Sequence, residues 1–353
     1  MMRRFGVRGM WTVGLGLSLL AACSPAAEQQ RAAPVGRYEG SLTYRGAELP
    51  VVLNVYQDSA SRVVQVQLRT PGAPVYARWF DSVAYQAPSL AGRLPGGGRL
   101  ALREEPNFLT GTVWLHDTLR AELVAVRRGP AALPTYTVTR QAATNGAPAM
   151  LRYEPRDTAR RRPALLYWSA AGAAGTAYGW ADWLVGQGVV VAVAAPAAAP
   201  DSVAAQQLAA ALQRLRADAG VDSARVGVWA VGPGGRAAAL AAAQLPGPPR
   251  YMLVQGAAFS KTDRVWLRQL GRQRVAVLGL YGALDTTLSV PESSQLLRAA
   301  VRRRGSGVKV YEGANQALLL IRPEKPDSVR HWPGPPADLA PSLQEWLGNQ
   351  LRR

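Results

Sequence analysis

The stretch that decides the fold is Val226-Gly-Val-Trp-Ala-Val-Gly-Pro-Gly-Gly-Arg236. Its first six residues, Val226 to Val231, form an apolar run of the length of a buried parallel strand. Gly232 to Gly235 is a glycine-rich turn, and the alanine-rich segment Arg236 to Leu245 predicts a helix. Strand, sharp turn and helix is the repeating unit of α/β sheets.

The same alternation continues on both sides. Upstream, Pro163 to Trp168 and Val189 to Ala195 read as buried strands, and Ala177 to Gln187 as a helix. A longer helix starts at Pro200-Asp201-Ser202, with Val203, Leu208, Leu212 and Leu215 on one face. Downstream, strands are predicted at Tyr251 to Gln255, Val275 to Tyr281 and Val308 to Tyr311, and helices at Pro291 to Arg303 and Leu339 to Leu351. Tyr136 to Arg140 and Met150 to Tyr153 read as two further strands at the start of this region. The pattern predicts a doubly wound, mostly parallel sheet with helices on both faces.

The elbow-like turn and the order of these landmarks resemble the α/β-hydrolase superfamily, most of all its dienelactone-hydrolase and acyl-peptidase branch. That family's elbow reads G-x-S-x-G. The resemblance covers Pro163 to Leu351. Val221-Asp-Ser-Ala-Arg-Val-Gly227 resembles the approach to the elbow strand. Tyr281-Gly-Ala-Leu-Asp285 resembles the loop of the catalytic acid, and Lys309-Val-Tyr-Glu-Gly-Ala-Asn-Gln316 the stretch that ends in the catalytic histidine.

Carried over residue by residue, the resemblance implies a degenerate triad. The nucleophile position falls on Gly232, the base position on Gln316 and the acid position on Asp285. A serine attacks only after a histidine removes its proton, and the carboxylate serves to orient that histidine. Asp285 alone has nothing to orient. The main oxyanion donor of the family is the N–H of the residue after the nucleophile; here that residue is Pro233, which has none. A second donor comes from the loop after the strand ending at Trp168, where this chain reads Trp168-Ser169. The insert that follows the sixth strand in the family is short here, Gly256 to Arg274.

Ahead of this region, residues 36–128 carry short alternating runs. They are Arg37 to Tyr44, Leu49 to Tyr56, Val63 to Arg69, Val75 to Phe80, Arg99 to Arg103, Leu109 to Leu115 and Leu119 to Val126. They predict a small all-β domain, a barrel or a sandwich. It resembles the β-domain that precedes the hydrolase domain in some secreted α/β-hydrolases. Trp79, Phe80 and Trp114 read as its core, with a ligand platform as the alternative. Residues 129–135, rich in Pro and Gly, predict the linker to a hydrolase-like domain over 136–353.

The first 22 residues read as an export signal, with Arg3, Arg4 and Arg8 before an apolar core, Trp11 to Leu20. Leu20-Ala-Ala-Cys23 resembles the lipobox of bacterial lipoproteins, which implies acylation of Cys23 and a membrane anchor. Ser24, by analogy with sorting rules, implies the outer membrane. The apolar run is short for a spanning helix. Residues 23–35 read as a flexible tether. Cys23 is the only cysteine, so no internal disulfide forms.

Composition limits the classes of function. Apolar residues make up 48% and charged residues 18%, which excludes a disordered chain. The net charge of +18 reads as a solvated basic surface. No linear motif for nucleic acid is present, and no nucleic-acid partner is expected. No His/Cys/Asp cluster has metal-ligand spacing, and neither a metal nor another cofactor is expected. Gly96 to Gly98 and Gly232 to Gly235 lack the Lys-Ser/Thr of a phosphate loop.

Three functions follow. The expected one is a lipid-anchored envelope protein of α/β-hydrolase fold, catalytically inactive, which binds a small molecule or a protein. The first alternative is a divergent serine hydrolase acting on esters or peptides through a relocated triad. It would draw on Ser169 or Ser260 and on His331, since the other histidine, His116, falls in the β-domain. The second alternative is a structural envelope protein. An open cleft lined by Trp168, Trp180 and Trp229 favours binding; a cleft filled by those rings favours a structural role.

Overall fold

The computed structural model describes residues 32–58, 60–71, 73–94, 98–116, 119–144, 146–157, 160–169, 174–301, 305–321 and 331–352. The export signal, Cys23 and most of the tether lie outside the described residues, as do Gly96, Gly97 and Arg302 to Arg304. Among the described residues no helix is long and apolar enough to cross a membrane.

Period-two alternation in the first part of the chain closes on itself. Strands β1 (Gly36–Tyr44), β2 (Ala47–Gln57), β3 (Val64–Arg69), β4 (Arg78–Gln86), β5 (Ser89–Arg93), β6 (Arg99–Glu105), β7 (Phe108–His116) and β8 (Leu119–Gly129) pair antiparallel in chain order. β8 then returns to β1, so no edge is left open. Inward positions are apolar, as at Leu49, Val51, Leu53 and Val55 of β2 or Leu119, Ala121, Leu123 and Ala125 of β8. Burying each larger side chain of this kind stabilises by roughly 1.5–3 kcal/mol.

Two barrel elements differ from the sequence expectation. β5 is an extra strand: Ser-Leu-Ala-Gly-Arg points only Leu90 inward as a large side chain, so its alternation is too faint to read. Val75 does not begin a strand; Pro74–Tyr76 is a turn of 3₁₀ helix, and β4 begins at Arg78. Arg78 is fully buried and holds this turn by donating to the carbonyls of Val75, Ala77 and Leu115. Trp79 and Phe80 are core, whereas Trp114 lies half-buried on the outer wall with the Arg99 guanidinium 3.8 Å from its ring centre.

The second body is a mixed eight-stranded sheet. Its strands are β9 (Tyr136–Gln141), β10 (Met150–Pro155), β11 (Arg162–Trp168), β12 (Val190–Ala194), β13 (Val221–Val231), β14 (Tyr251–Gln255), β15 (Ala276–Gly282) and β16 (Gly307–Tyr311). The spatial order is β16-β15-β14-β13-β11-β12-β10-β9. β16 through β12 run parallel; β10 and β9 are antiparallel additions at one edge.

Side-chain alternation sends Leu165, Tyr167, Trp229 and Leu253 into one hydrophobic cluster with α1 (Ala177–Gly186) and α6 (Leu339–Leu351). Leu166, Val228, Ala230 and Val254 enter another with α2 (Asp201–Arg216), α3 (Gly234–Gln244), α4 (Arg264–Arg272) and α5 (Val290–Ala300). α4 lies inside the stretch read from sequence only as a short insert. Its Leu267 and Leu270 are buried, which recruits the segment to the core.

The barrel and the sheet share one core, because the first cluster runs from Leu42 and Phe80 of the barrel to Trp229 and Leu280 of the sheet. α1 meets the barrel backbone to backbone. A Cβ on Gly179 would lie 2.3 Å from the carbonyl oxygen of Val75 and 2.4 Å from that of Pro74, so only glycine fits. Polar links surround this contact. Gln67 Nε2 donates to the Tyr136 hydroxyl at 2.9 Å, and that hydroxyl donates to Asp182 on α1. The connecting segment is held too: the Tyr56 hydroxyl donates to the Ala132 carbonyl, and the Ala132 N–H donates to Asn54 Oδ1. Burial raises the pKa of the Asp182 carboxyl, and burial followed by the neighbouring Asp182 raises that of the Tyr136 hydroxyl.

Candidate functional site

The site grows from the end of β13. After Val231 the chain turns at Gly232 with φ +57°, a left-handed conformation that costs a residue with a side chain about 1 kcal/mol or more. Pro233 follows at φ −56°, ψ −28° as the residue before α3; its fixed φ suits a helix start, and it is exposed with no N–H to donate. The Gly232 N–H donates to the Gln255 carbonyl at 2.8 Å, and the Gly232 carbonyl accepts from Gly235 N–H. The turn is thereby locked to β14.

Asp285 and Gln316 come from two loops that are bonded together. The N–H of Ala283 donates to the Tyr311 carbonyl, and that of Leu284 to the Ala314 carbonyl, both at 2.9 Å. Asn315 Oδ1 accepts the N–H groups of Ala317 and Leu319, which shapes the second loop. Gln255 Nε2 then donates to the Gln316 carbonyl at 3.1 Å.

The structure brings Gly232, Asp285 and Gln316 together. A Cβ built on Gly232 would find Gln316 Nε2 at 3.6 Å. A Cβ on Gly256, also at φ +57°, would find Asp285 Oδ2 at 3.3 Å and Gln316 Cγ at 3.6 Å. Asp285 is 6% exposed. Its Oδ1 accepts from the Thr287 N–H at 2.9 Å and the Thr287 hydroxyl at 2.6 Å, while Oδ2 is buried with no donor among the described residues. Gly256 had no sequence signal beyond its place after β14; the matching φ of the two glycines is what reveals it.

The remaining candidates serve other purposes. Ser169 is fully buried, and its N–H donates to the Ala194 carbonyl at 3.1 Å, so that amide is not free to face an oxyanion. The Ser260 hydroxyl bonds Asp263 Oδ2 and Thr262 as part of a capping box before α4. His331 is exposed. Its neighbour Trp332 packs edge-on against Tyr44 and Tyr76 of the barrel. His116 closes β7 in the barrel wall.

Trp168, Trp180 and Trp229 do not line an open cleft. All three are at most 2% exposed, and Trp180 and Trp229 pack with ring centres 5.4 Å apart. Trp168 lies against the start of α3, where a Cβ on Gly234 would meet its Cδ1 at 2.8 Å. Among the described residues no His/Cys/Asp/Glu group is arranged to hold a metal ion. Gly232, Gly256, Asp285 and Gln316 bring together one carboxylate oxygen without a donor among the described residues and one carboxamide.

No protein-family profile and no curated protein matches this chain. Solved structures do. A dienelactone hydrolase of Klebsiella pneumoniae is 17% identical, with a TM-score of 0.40, over 52% of this chain and 88% of its own. An α/β hydrolase enzyme from a Medee basin deep-sea metagenome library is 12% identical, with a TM-score of 0.42, over 51% and 83%. A dienelactone hydrolase-like promiscuous phosphotriesterase from metagenomic libraries is 17% identical, with a TM-score of 0.46, over 62% and 98%.

Proposed function

We propose that this chain is a lipid-anchored envelope protein built on an α/β-hydrolase-type framework, without acyl-transfer chemistry at its elbow, that acts through binding. The observation that carries this reading is the convergence of Gly232, in the left-handed turn between β13 and α3, with Asp285 and Gln316. The framework keeps the corner where a nucleophile would stand, but the corner has no side chain and its neighbour is an amide. Pro233 removes the amide donor expected of that corner, and losing one such donor costs about 3–4 kcal/mol of transition-state stabilisation.

The buried tryptophans leave no aromatic cleft and on that point favour the structural alternative, so the binding proposed here uses the outer surface. The anchor rests on Leu20-Ala-Ala-Cys23. A fluorophosphonate probe tests the central point. The protein should remain unlabelled under conditions that label an active serine hydrolase. Covalent labelling of Ser169, Ser260 or any other serine, lost on His331→Ala, would establish a relocated triad instead.

A further inference from the structure

Helix α4 presents a cationic face that nothing in the described chain neutralises. Arg264, Arg268 and Arg272 recur every four residues, which at about 100° per residue keeps them within an arc of roughly 80°. All three are exposed, and Val265 beside them is 72% exposed. Leu267 and Leu270 occupy the opposite, buried side, with Trp266 half-buried between the two. Lys261 and Arg274, both exposed, extend the face at either end. None of these five cations makes an ion pair or side-chain hydrogen bond among the described residues.

Asp263, the one carboxylate between 261 and 274, is fully buried and engaged by Arg236 and Ser260. Some other arginines are paired, Arg152 with Glu154 and Asp218 and Arg225 with Asp222, whereas Arg93, Arg99 and Arg120 on the barrel wall have no carboxylate partner among the described residues either. Like charges held together on a short helix repel one another and are stabilised when an anionic surface meets them.

We propose that the outer face of α4 docks on an anionic phospholipid bilayer. The guanidinium groups match lipid phosphates, and Val265 at the edge of the arc suits the boundary between headgroups and acyl chains. An apolar residue amid the cations has no counterpart on a nucleic-acid backbone. The occupant rests on the envelope reading, but the binding measurement does not depend on acylation.

Full-length Cys23→Ser protein is sedimented with vesicles of phosphatidylcholine alone, or of phosphatidylcholine and phosphatidylglycerol at about 7:3, in low and high salt. The anionic vesicles should bind more tightly, and salt should erase the difference. Each cation near such a surface contributes a factor of about five, so R264Q/R268Q/R272Q should lose about 100-fold. R264E/R268E/R272E, which adds repulsion, should lose more in the same direction, with thermal melts confirming that both variants fold. R93E/R99E/R120E on the barrel wall makes the same change in net charge and should retain binding. Equal loss in that control, equal binding to both vesicles, or a preference for double-stranded DNA over anionic vesicles overturns the proposal. Failure of the anchor reading would show separately, as retention of the Cys23→Ser protein on cell membranes after a high-salt wash that strips the α4 contact.

Discussion

Gln255 holds Gln316 beside the elbow: its Nε2 donates to the Gln316 carbonyl at 3.1 Å, while its Oε1 accepts the indole N–H of Trp229 at 3.2 Å. One buried amide thus joins β13, β14 and the loop after β16. Gln255→Leu leaves an indole N–H and a carbonyl unpaired, each costing about 1–3 kcal/mol. We expect a loss of about 3 kcal/mol in urea unfolding with an unchanged slope. A loss below about 0.5 kcal/mol would mean that the bridge does not hold the site.

Gly232→Ser has room for its Cβ, which would meet Gln316 Nε2 at 3.6 Å. The variant should fold, at a cost of about 1–2 kcal/mol for the left-handed turn. It should stay unlabelled by a fluorophosphonate, because Gln316 is no base and Pro233 gives no N–H. G232S/P233A/Q316H introduces a hydroxyl, an amide donor and an imidazole, and supplies a ring for Oδ2 of Asp285. It should label at least about 100-fold faster than the single variant. Equal rates would show that the elbow is misread.

Asp182 makes stability depend on pH. Its folded pKa is raised above 3.8, first by burial, so protonation favours the folded state. That contribution is complete below pH 3.8 and is lost as pH rises through the raised value. Asp182→Asn keeps an acceptor for Tyr136 without the charge, and its thermal midpoint should fall less than that of the parent as pH rises from acid to neutral. Parallel curves would show that other groups carry the dependence.

Cys23→Ser removes the acylation site implied by the lipobox-like stretch. After a high-salt wash the variant should appear in the soluble fraction of disrupted cells, whereas the parent should follow the membranes. Retention of both would refute the anchor.

The parts of the fold legible in the sequence are those where local pattern and burial agree. Val226 to Val231 lies within β13, Leu339 to Leu351 is α6, and Asp201 begins α2. β5 was not legible, because Ser89–Arg93 contributes only one large inward side chain. α4 was missed because Leu267 and Leu270 gain meaning only once the core they enter exists. For the site, Gly232, Asp285 and Gln316 could be named from their places in the chain, but Gly256 could not. Its role depends on a dihedral angle and on two loops that meet only after folding. The spacing of Arg264, Arg268 and Arg272 was present all along, but their lack of carboxylate partners required three dimensions.

The contact at Gly179 bears on how this chain can vary. With Val75 and Pro74 carbonyl oxygens 2.3 and 2.4 Å from any Cβ there, a single methyl group would pry the barrel from its helical support. The barrel is therefore no detachable accessory. Grafting it onto another scaffold would demand a glycine at the matching spot, and recombination between 129 and 136 would give offspring that inherit a seam but not its fit.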